Sequence, residues 1–65
     1  MSGDITMVQV VETLREVYTD EGVAIWLGSA NAHFDGERAI DICRTAEGRL
    51  RVWQIAGGLA EGAFA

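Results

Sequence analysis

The tightest constraint on this chain is how little its 65 residues carry to staple a fold together: one cysteine and one histidine. A chain of this size buries only about 60% of the surface its unfolded form exposes. Small scaffolds therefore rely on disulfides, a metal, a partner or unusually good helix packing. Cys43 has no second cysteine to pair with, and Cys43 with His33 cannot close a four-ligand zinc site. What remains is a well-packed core, self-association or a bound partner. The reading favoured here is a domain that completes its buried surface with another chain.

The apolar pattern is helical. Met7, Val10, Val11, Leu14, Val17 and Tyr18 recur at the spacing of one helix face, predicting a first helix over about Asp4 to Tyr18. Its many β-branched residues make a strand over Ile5 to Val11 the lesser alternative. Ile5 and Val8 lie off the main stripe, as a second apolar face suited to self-association. Thr19-Asp20-Glu21 reads as a capping cluster for a second helix to Gly28, with Val23, Trp26 and Leu27 inward. Ser29 to Asp35 reads as a loop, and Asp35 as the cap of a short third helix over Gly36 to Arg44, with Ala39, Ile40 and Cys43 inward. Thr45 caps a last helix, Ala46 to Glu61, with apolar set Leu50, Val52, Trp53, Ile55, Ala56 and Leu59. Gly57-Gly58 weakens that helix by roughly 1 kcal/mol per glycine, which points to close helix packing or a kink, with partner docking as the alternative. The predicted architecture is one all-α domain, 1–65, a small compact bundle of about four helices.

Charge narrows the function. Five arginines, no lysine and ten Asp/Glu give a net charge of -5. Phosphate binding runs on cationic side chains, so nucleic-acid binding is disfavoured, whereas a basic protein partner is favoured. No apolar run approaches a membrane span, no signal peptide precedes the first helix, and a lone thiol fits a reducing cytoplasm. Nucleophilic catalysis needs a nucleophile, a base and an orienting group within reach. The candidates are Cys43 with His33 and Asp41, and Cys43 falls on an apolar face beside Ile40. Asp35, Glu37 and Asp41 are better explained by capping and solvation than by a cation. No phosphate-binding glycine loop is present. The expectation is a non-enzyme with no cofactor and no metal.

Several residues carry two readings. Phe34 anchors the loop with His33 facing solvent, or His33 contacts a partner. Trp26 and Trp53 belong to the core, although tryptophan is also a common interface anchor. Arg38 pairs with Asp41 three residues on, or holds the preceding loop through its carbonyls. Gly62 stops the last helix, and Ala63, Phe64 and Ala65 either tuck back or insert into a partner.

Trp26-Leu27, then Asn31, Phe34, Gly36, Arg38, Ile40-Asp41, then Thr45 and Gly48 opening the last helix, then Val52, Leu59, Gly62 and Phe64, form a pattern. It resembles the toxin-binding domain of Xre/MbcA/ParS-type bacterial antitoxins, over 21–65, with 1–20 as an added N-terminal helix. Two family prolines are replaced by Ala32 and Ala39, and Asp35 stands at a frequent glycine, so the loop should be less rigidly preset. The resemblance implies a protein partner, a RES-domain toxin that degrades NAD, whose active-site entrance the domain occludes. It places Gly62, Ala63, Phe64 and Ala65 at the occluding end. Asn31, His33 and Arg38 form a second candidate surface. Relatives usually carry a helix-turn-helix domain ahead of this region; with about 20 residues there, operator binding is not carried over. A stand-alone antitoxin from a phage or mobile element is the implied setting, and a homo-oligomeric adaptor is the alternative.

Overall fold

The computed structural model describes residues 4–62. Four α-helices follow one another: α1 (Met7–Leu14), α2 (Asp20–Gly28), α3 (Ala39–Ile42) and α4 (Ala46–Ala60), with a 3-10 turn at Ala32–Phe34. Among the described residues the only β pairing is an isolated antiparallel bridge between Ala30 and Arg38. The all-α bundle read from the sequence is the fold.

Each longer helix buries residues four apart, the repeat that returns a side chain to the same face. Val10 and Leu14 come from α1, Val23 and Leu27 from α2, and Gly48, Val52 and Ala56 from α4. Ile5, Phe34, Ala39 and Cys43 complete the core, and among the described residues no polar or charged one is buried. α1 packs mainly on α4, and α3 contacts both α2 and α4.

The caps explain most boundaries. Thr19 and Thr45 each accept a hydrogen bond from the backbone N–H three residues on, Gly22 and Gly48, as the sequence predicts. Thr6 does the same for Gln9, whose Oε1 accepts the Thr6 N–H in return, closing a reciprocal capping box. α1 therefore starts at Met7, later than the predicted Asp4. It also ends earlier, at Leu14: the Val17 and Tyr18 N–H groups both donate to the Leu14 carbonyl in a turn. That turn leaves Val17 exposed, and sets Tyr18 over Gly22, where an added Cβ would stand 3.1 Å from the Tyr18 Cβ.

Three further expectations are corrected. Asp35 does not cap α3; it is the left-handed residue ending the 3-10 turn, at φ 55°, and Arg38 precedes α3 without a side-chain cap bond. Ile5 is not part of a surface face but lies in the core, while Val8 is 65% exposed. Gly57 has no close neighbour among the described residues: an added Cβ would meet nothing of theirs within 4 Å. The close approach is at Gly48, whose added Cβ would fall on the Ile42 carbonyl. Arg49, next to it, donates from Nε to the Ile5 carbonyl at 2.8 Å and from Nη1 to the Cys43 carbonyl at 3.1 Å.

Candidate functional site

The loop between α2 and α3 is organised by Asn31. Its Oδ1 accepts the His33 N–H at 2.9 Å, and its carbonyl accepts from both Phe34 and Gly36. Its own N–H donates to the Glu37 carbonyl, so the loop closes at its neck beside the Ala30–Arg38 bridge. Gly36 at φ 87° follows Asp35 at φ 55°, two successive left-handed residues that glycine and aspartate tolerate better than most. Phe34 is 2% exposed and packs edge-on against Trp26, ring centroids 6.4 Å apart. Phe34 is thus the anchor of the loop and His33 is exposed on it.

Arg38 grips Asp41 with two bonds, Nε to Oδ2 at 2.9 Å and Nη2 to Oδ1 at 3.1 Å. The pairing read from their spacing is therefore the one found. The bonded guanidinium holds the Asp41 carboxyl below the usual carboxylate range. Arg44 also approaches Asp41, at 3.5 Å. The structure brings Asn31, His33 and Arg38 together on this one loop. Gly62 sits apart at the end of α4, where Glu61 caps the helix and Gly62 turns the chain at φ 78°. That is the helix stop expected of it; Ala63, Phe64 and Ala65 lie outside the described residues.

On α4, Leu50 and Trp53, both expected inward with Trp53 open to an interface role, are 40% and 36% exposed. Counting from the buried positions Gly48, Val52 and Ala56 shows why: Leu50, Trp53 and Gly57 fall at i, i+3 and i+7 on the opposite side of the helix. Ile40, predicted inward, is 38% exposed for the same kind of reason, since Ala39 and Cys43, four apart, take the core side of α3. Trp26, by contrast, is partly buried against the core as read.

All five arginines are engaged within the chain. Arg15 pairs with Asp20, Arg38 and Arg44 with Asp41, Arg49 with two carbonyls, and Arg51 lies over the Phe34 ring at 5.6 Å. Glu12, Glu16, Glu21, Asp35, Glu37, Glu47 and Glu61 take part in no ion pair among the described residues. The accessible field is thus anionic, suited to a cationic protein surface and opposed to phosphate. Cys43 is buried, and desolvation pushes its thiol pKa up, the reverse of what a nucleophile needs. Among the described residues no three His, Cys, Asp or Glu side chains gather as metal ligands, and no helix is long and apolar enough to cross a membrane.

Fold and surface define a small acidic helical domain. The chain belongs to the antitoxin Xre/MbcA/ParS C-terminal toxin-binding domain family, whose model matches residues 7–62. The match begins at the first residue of α1 and takes in the organised loop, the Arg38–Asp41 pair and all of α4. No curated protein and no solved structure matches significantly.

Proposed function

We propose that this chain is a cytoplasmic, non-enzymatic antitoxin that binds a RES-type NAD-degrading toxin and closes the path to its active site. The observation that carries the reading is the family match over 7–62, on a domain whose accessible charge is carboxylate. Occlusion asks no chemistry of the inhibitor, which suits a chain whose one thiol is buried. Gly62, Ala63, Phe64 and Ala65 serve as the occluding end. Asn31, His33 and Arg38 add a second contact on the loop. Carriage by a phage or mobile element suits a protein that meets a host toxin. Co-expression with a RES-domain toxin, affinity capture and an NAD assay test the reading. A stable complex with NAD preserved supports it; no complex with any such toxin refutes the RES assignment. Deleting Ala63 to Ala65 should abolish NAD protection with the helical signal intact, and retained protection would defeat the tail's role.

Self-association is the second reading, favoured by a shallow groove of about 280 Å³ on α1 lined by Met7, Val8, Val11, Glu12 and Arg15. Sedimentation decides it, since a strict monomer at high concentration excludes it.

A further inference from the structure

We propose that the outward face of α4, centred on Leu50, Trp53 and Gly57, is the surface on which a basic amphipathic helix of the toxin docks. The proposal rests on the toxin-binding reading and assigns it a site distinct from both the chain end and the loop.

Three independent features meet on that face. Two large apolar side chains, Leu50 and Trp53, stand 40% and 36% exposed on the side of α4 turned away from the core. Tryptophan in such a setting is a favoured interface anchor. Between them and the helix end lies Gly57, at i+7 from Leu50 and i+4 from Trp53. Glycine weakens a helix interior relative to alanine, so it needs a reason. Nothing among the described residues supplies one: a Cβ at Gly57 would meet no atom of theirs within 4 Å. Gly48, in the same helix, has its reason in the Ile42 carbonyl. A bare stretch of helix backbone beside an exposed tryptophan lets a second helix approach closely, with the tryptophan packed along it.

Charge selects the occupant. Glu47 and Glu61 fall on the same outward side and make no ion pair among the described residues. The two arginines of α4 are turned elsewhere, Arg49 to the Ile5 and Cys43 carbonyls and Arg51 to the Phe34 ring. The face is therefore apolar at its centre with carboxylates at its edge and, among the described residues, no cation to repel a basic partner. A helix with an apolar stripe flanked by Lys or Arg complements it.

The test uses the full chain and a RES-domain toxin, with affinity measured by calorimetry and fold checked by circular dichroism. Gly57→Leu keeps a good helix former in open space, so the helix persists while the approach is blocked. Gly57→Leu and Trp53→Ala should each weaken binding at least tenfold, and Glu47→Arg with Glu61→Arg should slow association. Gly57→Ala is the smaller step for use if the leucine variant loses helicity, and it should weaken binding severalfold. Wild-type binding with all variants within twofold of it overturns the docking face and leaves the antitoxin reading standing. Absence of wild-type binding overturns both.

Discussion

Gly48→Ala asks one methyl group to enter the tightest crossing in the molecule. The new Cβ would overlap the Ile42 carbonyl oxygen and stand 2.8 Å from the carbonyl carbon. Both obstacles are backbone at the end of α3, so no rotamer change relieves them, and α4 must move away by on the order of an ångström. Gly48 is buried beside Val52, and Arg49 bonds the Cys43 carbonyl next in line, so the shift also loosens the core and that bond. Overpacking of this kind costs about 1–3 kcal/mol. The helix-propensity gain of alanine over glycine returns somewhat under 1 kcal/mol. With the obstruction rigid the cost falls at the upper end of that range, so the net loss is about 2 kcal/mol against a total stability of about 3–10 kcal/mol for a domain this small. The melting temperature should fall by about 10–15 °C, read by far-ultraviolet circular dichroism. Gly57→Ala, in the same helix but with open space, should instead raise it by about 3–6 °C. A Gly48→Ala variant melting within about 3 °C of wild type, or a Gly57→Ala variant melting lower, would refute the assignment of close approach to one glycine and open space to the other.

Three shorter predictions follow from single contacts. Arg49→Met removes two bonds to carbonyls in one step and should destabilise by about 1–3 kcal/mol in denaturant titration; an unchanged midpoint would show those carbonyls solvated. Burial raises the Cys43 thiol pKa, so native protein should resist alkylation that unfolded protein accepts readily. The same shift leaves stability untouched below the unfolded thiol's pKa of about 8.5 and erodes it as pH climbs beyond, because the unfolded thiol ionises first. Hydrogen bonding to Arg38 lowers the Asp41 pKa, so the pair's support is present above the unfolded carboxyl value of about 3.9 and lost as pH falls through the lower native one. An NMR titration should place Asp41 below the ordinary aspartate value and Arg38→Gln should move it back up; no movement would discredit the pair.

Sequence legibility tracked local chemistry. Thr19 and Thr45 announced their helices because a cap acts on atoms three residues away. The Arg38–Asp41 pair and the stop at Gly62 were legible for the same reason. What spacing alone left ambiguous was which apolar face turns inward on a helix carrying hydrophobic residues all round. α4 presents Leu50, Val52, Trp53 and Ile55 in one turn and a half, and only packing against α1 and α3 selects Val52 and Ala56 over Leu50 and Trp53. Gly57 was misread likewise: a glycine's purpose depends on what lies opposite, and that is a tertiary fact. The candidate loop was legible as a set of residues, but not its closure through Asn31, whose carbonyl serves two N–H groups at once.

The bond from Arg49 to the Ile5 carbonyl joins positions 44 apart along the chain. Because α1 rests chiefly on α4 and not on its neighbour α2, Val10 and Leu14 have no lasting cover until α4 exists. A ribosome adding about 5–20 residues per second therefore leaves the first helix waiting for several seconds. For that interval its apolar stripe lacks the surface that buries it. α1 is thus made before the helix that covers it.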